Sequence, residues 1–551
     1  METSPSQPRL PGTVKLIDMQ GLLNVKHGHG KREIILVPQP TDDLDDPLRW
    51  TQSRKMTSVI SAMTWCFFIG FMISGLSPAY ILIESHTGIS VADLSTGNGI
   101  LYLFMGWGTM ITQSLALKYG RRPVLVGCMV LVTAMTVWTA FVRSRGEFFA
   151  NRILLGIFAS PQETLIEIII GDVFFTHDRG FYMGAYTWSL FCGAFFSPVA
   201  SGYIAQAMGW QWIQYILAFV GAGVTVLTFF FFEETMFFRD HSSASAETLD
   251  GIPSLIEGVA ADAEKTGETK PAITTDQHPP SVHNASTPSS PQGTTRPYLA
   301  KLKIWGYQHP EQPNPFATFL MPIQLLFTFP AMFFSGLLVG GTLAWYNVMG
   351  GSMALILGSA PYNFSTNTIG LTYLACAVGV TIGCGVSGWM SDLVAIWLAR
   401  RNGGIMEPEQ RLWICLVALV VHPAGCLLYG VGASYGIHWG GVVVGLGLIA
   451  MTFPLGGCLA YTYILDCYKE MAGQGLVSAI LIRNLMGFAF GYAVVPMINT
   501  LSVRYAFVLV ALLGELVWLM GVAMIYFGKP LRRVTARRYW DLVEKVGAKA
   551  H

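Results

Sequence analysis

Residues 211–232 read QWIQYILAFVGAGVTVLTFFFF, a run without a single Asp, Glu, Lys or Arg, and residues 278–297 read HPPSVHNASTPSSPQGTTRP. The first stretch is long enough to cross a bilayer as a helix, since a hydrocarbon core of ~30 Å takes about 20 apolar residues. The second is too poor in apolar side chains to bury a core and reads as a flexible tether. Working outward from this junction, six apolar runs precede the polar insert, near 57–83, 96–117, 123–142, 148–172, 182–206 and 211–232. Six follow it, near 318–345, 367–398, 412–431, 438–465, 474–500 and 505–528. The runs are continuously apolar and do not alternate, so helices are expected and barrel strands are not. The fold class expected is an all-α polytopic membrane protein with twelve transmembrane helices in two six-helix bundles. The chain divides into a tail (1–56), a first bundle (57–232), a largely disordered linker (233–317), a second bundle (318–528) and a second tail (529–551).

Composition agrees. The chain has 551 residues, of which 52% are hydrophobic and 12% charged, against about 25% charged in soluble proteins. The mean hydropathy is +0.48. A net charge of +1 with no basic patch outside the loops argues against a nucleic-acid partner. Cys66, Cys128, Cys192, Cys376, Cys384, Cys415, Cys426, Cys458 and Cys467 all lie in or at the edge of apolar runs. They read as small buried hydrophobes, not as a disulfide or zinc framework. Residues 1–55 lack the apolar core of a cleavable signal peptide, so the first span is expected to direct insertion. There is no Gly-x-x-x-x-Gly-Lys-Ser/Thr run and no soluble stretch large enough for a nucleotide fold. An ATP-driven pump or an enzyme is therefore not expected, and neither is a catalytic, cofactor or metal site.

Lys and Arg placement orients the chain. Lys118, Arg121, Arg122, Arg179, Arg400, Arg401, Arg411, Lys469, Lys529, Arg532, Arg533, Arg537 and Arg538 fall in alternate loops and the last tail, whereas the other loops hold only Arg143, Arg145 and Arg504. Both termini are expected in the cytoplasm. The sequon at Asn284 then faces the cytosol and is silent, while Asn363 falls in an outside loop close to the next span and is a candidate for glycosylation.

Ionisable residues inside spans are expensive and mark function. In span 4, Gly156, Glu163 and Glu167 lie 4, 11 and 15 positions after Arg152. At ~100° per residue those offsets return to about 40°, 20° and 60°, so the four share one face. Pro161 between them is a possible kink. The two glutamates read as a site for a cationic substrate, as carriers of an exchanged proton, or as part of an Arg–Glu brace. Arg483 and Asn484 sit part-way into span 11, and either Asp466 or Glu470 at the end of span 10 could supply the partner that a buried Arg needs. Glu515 in span 12 has no assigned role.

Several motifs resemble the major facilitator superfamily. The loop LALKYGRRP (115–123) is similar to the family's gating loop, with Gly120, Arg121 and Arg122 in place and Leu117 where an acid usually stands. The matching loop of the second half keeps GWMSD (388–392), ending at Asp392, and then Arg400 and Arg401. Gly184, Gly193, Pro198 and Gly202 in span 5 resemble the motif of twelve-span drug:proton antiporters, with Ser197 in place of the Gly before the Pro. The stretches LVPQPTDDLDDPLRW (36–50), LFMGWG (103–108), SPQETLIEIIIGDVFFTHDRG (160–180), ARRNGGIMEPEQRLW (399–413) and LDCYKEMAGQGLVSAILIRN (465–484) look like one fungal branch, of drug or metabolite exporters and polyamine transporters. The resemblance implies pseudo-twofold halves around a central cavity lined by span 4. It also implies gating by Gly120, Arg121, Arg122, Asp392, Arg400, Arg401, Asp466 and Arg483, and proton transfer near Arg152.

The function expected is a proton-coupled secondary transporter working by alternating access, most simply an efflux pump for a drug or secondary metabolite. Proton-coupled uptake of an organic cation such as a polyamine is the alternative. Its partners are then a small molecule, protons and lipid, with no oligomer required. The family default places it in the plasma membrane, with the vacuolar membrane as the alternative.

Overall fold

The computed structural model describes residues 10–15, 27–28, 31–35, 43, 45–175, 178–237 and 319–550. Most of the polar insert, with Asn284, lies outside the described residues. Among the described residues eleven helices are long and apolar enough to cross a membrane, and the last of them, Lys469–Lys545, bends at Ser502 (φ 65°, ψ 160°) into two. The membrane part is thus twelve spans. Span 1 is Gln52–Ser74, span 2 Val91–Tyr119, span 3 Arg121–Thr139, span 5 Arg179–Met208 and span 6 Trp210–Phe231. Span 4 comes in two pieces, Arg145–Ala159 and Pro161–Val173. Spans 7 and 10 are Pro330–Leu357 and Trp439–Cys467. Span 8 runs from Thr366–Gly385 through a wider turn to Ser391–Arg401, and span 9 begins at Cys415–Cys426. Spans 11 and 12 occupy Ala472–Ala550 on either side of Ser502.

Span 7 begins later than the 318 expected from hydropathy. Residues 321–328 form a separate short helix, and Phe329, held extended at φ −115° and ψ 104°, ends it. A residue before proline is pushed out of the helical region, and Pro330 is itself well suited to the first helical position.

The helix starts at one end of the bundle are capped by side chains. Ser90, Ser144 and Ser365 accept from the backbone NH of Asp93 (3.1 Å), Glu147 (3.3 Å) and Thr368 (3.4 Å), as the first orphan donors of a helix require. The opposite end carries the charged loops. A short β pair occurs there, Val14–Lys15 with Ile405–Met406, and among the described residues a second joins His27–Gly28 to Lys31–Ile35.

Packing repeats with a shift of six spans. Span 1 lies on 5, 2 on 4 and 3 on 6; span 7 lies on 11, 8 on 10 and 9 on 12. The halves meet where span 2 crosses 11 and span 5 crosses 8, contacts that exchange under the same shift. Small residues permit these approaches. A Cβ on Gly193 would overlap the Phe67 carbonyl of span 1, and one on Gly184 would stand 3.1 Å from the Cys384 carbonyl of span 8. The antiporter-like glycines therefore let span 5 lie between its own half and the other. Gly193→Ala is expected to cost about 1–3 kcal/mol, because two backbones must part. A thermal unfolding scan of the purified variant checks this, and an unchanged midpoint contradicts it.

Candidate functional site

A cavity lies between the halves. Spans 1, 2, 4 and 5 contribute Ser74, Tyr102, Gln162 and Tyr186 to its wall, and spans 7, 10 and 11 contribute Tyr346, Tyr461 and Arg483. Phe191 adds a fifth aromatic ring. Towards the capped end, Ser74 and Tyr346 share a hydrogen bond of 2.8 Å across the two halves. Phe195 and Phe453 pack on the Tyr346 ring at 5.7 and 6.1 Å.

Arg483 is the one formally charged residue in this wall among the described residues. Its guanidinium pairs with Glu163 of span 4, whose side chain is fully buried, and donates to the Tyr461 hydroxyl at 3.0 Å. The other Glu163 oxygen accepts from Asn484 Nδ2 at 2.6 Å. This corrects the expected pairing of Arg483 with Asp466 or Glu470. Arg483 lies eleven residues past Ala472, about 16 Å along the helix at 1.5 Å per residue, out of reach of acids at the helix mouth. Both acids have other partners: Asp466 meets Arg411, and Glu470 accepts from the Tyr539 hydroxyl.

Glu167, one turn on from Glu163, is fully buried and neither of its oxygens has a hydrogen-bond partner. The Tyr186 hydroxyl near it donates to the Gln162 carbonyl at 3.1 Å. An isolated buried carboxylate ion is far costlier than its protonated form. Arg152 does not join the two glutamates. Span 4 breaks at Ser160–Pro161, and the Arg152 guanidinium stacks on Phe148 at 4.7 Å, with Nε and Nη2 unpaired. The intrahelical Arg–Glu brace is not formed.

At the charged end the cations and acids interlock. Asp392 of span 8 meets Arg411 and accepts from the backbone NH of Phe181 in span 5 at 3.0 Å. Arg411 continues to Asp466 at 2.9 Å, and Asp466 lies 3.7 Å from Arg179 of span 5. The chain of contacts crosses between the halves twice. Arg400 and Arg401 are both exposed, and Arg401 lies over the Trp397 ring at 3.9 Å. In the first half, the acid missing at Leu117 is replaced from elsewhere. Arg121 pairs with Asp172, and Glu234 accepts from the backbone NH groups of Arg121 and Arg122, each at 3.0 Å. Gly120 turns at φ 97°, which strains any side chain, and a Cβ there would stand 2.6 Å from Glu234 Oε2 and push that carboxylate aside.

Arg411 and Arg179 were counted in the sequence only as loop cations. Their acids lie too far along the chain to pair by spacing, although EPEQR (407–411) is a signal of sorts. Glu409 receives Arg532 at 2.6 and 2.8 Å. Glu407 receives Lys529 at 2.7 Å and Arg532 at 2.9 Å. Burial pushes the Glu407 carboxyl up, but these two cations outweigh it and hold it below the ordinary value. Asn363 is exposed in the loop before span 8, at φ 47°.

Comparison with known proteins agrees with this architecture. The family model for the Major Facilitator Superfamily matches residues 61–490. An uncharacterised MFS-type transporter of Schizosaccharomyces pombe is 28% identical over 560 residues, covering 98% of this chain and 96% of its own. Protein HOL1 of Saccharomyces cerevisiae is 24% identical over 574 residues, covering 97% of both. The solved structure of the proton:xylose symporter XylE superposes with a TM-score of 0.58 at 12% identity, over 86% of this chain and 97% of that one.

Proposed function

The chain belongs to the Major Facilitator Superfamily, and we propose that it is a proton-coupled secondary transporter that exports a small organic compound by alternating access. The observation that carries this reading is the tie between Glu163 of the first half and Arg483 and Asn484 of the second, set at the wall of the central cavity. A proton on Glu163 removes the charge that Arg483 answers. The tie then weakens, and the two halves rock about the cavity. Glu167 is the natural neighbour to exchange that proton, because it is buried without a partner. Coupling of this kind needs only a few kcal/mol of differential stability between the two states.

The small-residue pattern of span 5 supports export, as in the antiporters it resembles. A second reading is uptake of an organic cation such as a polyamine. The wall rings of Tyr102, Tyr186, Phe191, Tyr346 and Tyr461 favour it, since aromatic faces attract cations. We place the charged end in the cytoplasm on its excess of Lys and Arg, and the protein in the plasma membrane.

The test is substrate-dependent proton flux in proteoliposomes under an imposed pH gradient, with polyamines, cationic dyes and neutral metabolites as the panel. Flux driven by neutral compounds supports metabolite export; flux driven by cations supports the second reading; no proton flux with any transported compound overturns the coupling. Glu167→Gln, expected to keep the fold, should flatten the pH dependence of transport on the same liposomes. A wild-type pH profile in that variant removes Glu167 from the mechanism.

A further inference from the structure

The charged end of the second half holds a segment from far away in the sequence. Val14 and Lys15 pair antiparallel with Met406 and Ile405, in the loop that leads into span 9. Thr13 Oγ1 donates to Glu407 Oε2 at 3.0 Å, and the Pro11 carbonyl accepts from Arg532, beyond span 12. Between them Gly12, at φ 87°, lies flat on the end of span 10. A Cβ on it would stand 2.8 Å from Cys467 Cα and 2.9 Å from the Asp466 carbonyl oxygen. Residues 11–15 thus touch three separate elements, the loop before span 9, the end of span 10 and the helix after span 12. One of the residues touched, Asp466, holds Arg179 of the other half.

We infer that this surface is a peptide-binding groove, and that residues 10–15 fill it as a removable strap that must lift before the charged end opens. The recognition is strand addition: main-chain pairing to an exposed two-residue edge, fixed in register by one hydroxyl–carboxylate and one guanidinium–carbonyl contact. A two-residue ladder is marginal by itself, so the segment is held weakly enough to leave. While it is docked it fastens the end of span 10 to the loop ahead of span 9 and to Arg532, and so opposes any tilt of span 10 that would carry Asp466 away from Arg179. Gly12 is required twice over, by its positive φ and by the backbone beneath it. The inference rests on the alternating-access reading for its consequence, though not for the docking itself.

The test is a disulfide between Lys15→Cys and Ile405→Cys, which face each other in the antiparallel register. Directly opposed residues have Cβ atoms about 5 Å apart, near disulfide range. The natural cysteines are buried or half-buried, and wild-type protein oxidised in parallel serves as the control. Near-complete cross-linking is expected, with transport at least tenfold slower in the oxidised protein and restored by dithiothreitol. Adding Gly12→Val should abolish the cross-link without loss of the folded protein. If the cross-link forms and transport is unchanged, the strap is a fixed part of the second half and the inference falls. It falls equally if the reduced double-cysteine protein is folded and no cross-link forms. The cross-link yield is read without any transport assay, so a failure of the transport reading shows separately.

Discussion

Arg483→Ala is expected to abolish transport and to lower the stability of the protein by about 3–5 kcal/mol, the usual cost of removing one partner of a buried ion pair. Glu163 is fully buried, and without Arg483 the side-chain donor left to it among the described residues is the Asn484 amide at 2.6 Å. One neutral donor does not offset a charge held out of water. Most of the lost stability should return in the double variant Arg483→Gln with Glu163→Gln, because two amides that can hydrogen-bond cost far less to bury than an unpaired carboxylate. Transport should not return, since no ion pair is left to tie and release the halves at the wall of the cavity. Arg483→Lys should fall between, as it keeps the charge but not the fork that spans Glu163 and the Tyr461 hydroxyl. Thermal midpoints of the four purified proteins, read beside their transport rates at equal expression, check the series. Normal transport by Arg483→Ala would sink the mechanism.

The spans were legible because lipid imposes so simple a requirement. A run such as 211–232 has no polar alternative to a helix, and its length equals the thickness it crosses. Where proline intervened the reading slipped, by a separate helix at Pro330 and by the break at Pro161. The break also undid the shared face of Arg152 and the glutamates, which held only for one straight helix. The candidate site was legible in part. Glu163, Glu167, Arg483 and Asn484 stand out as polar residues in apolar runs, but their pairing does not. Arg483 and Glu163 are 320 positions apart, and the near acid Asp466 was the obvious choice by spacing. The same holds for Leu117: the acid it lacks arrives from Glu234, 113 positions from the Arg121 amide it meets. Sequence spacing reports neighbours on one helix. It is silent on neighbours that two bundles create by meeting.

The two sets of contacts between the halves differ in kind. At the wall of the cavity a single carboxylate answers a single guanidinium, and one proton is enough to change the balance. At the charged end four groups share the work: Arg179, Asp466, Arg411 and Asp392. A proton on one of them leaves the others in place. The first arrangement suits a trigger, and the second suits a lock that a rearrangement of the halves must break as a unit.

Asp466→Asn is the substitution that should open that lock. The residue keeps its size, but it no longer answers Arg411, which is almost wholly buried, or Arg179 of the first half. Arg411 retains Asp392, and Arg179 retains the Gly171 carbonyl at 3.0 Å, so each cation keeps a partner in its own half and the loss falls on the contact between halves. The fold should therefore survive while the closed state does not. If the lost contact is worth about 3 kcal/mol, the ratio of closed to open states falls by roughly a hundredfold. Spin labels at Lys118→Cys and Arg401→Cys, on opposite halves of the charged end, should report a longer distance in most molecules. Transport should slow, because the cycle must pass through the closed state that the variant rarely visits. An unchanged distance distribution with normal transport would show that the closed end is held by something other than this network, and the strap over Cys467 would be the next place to look.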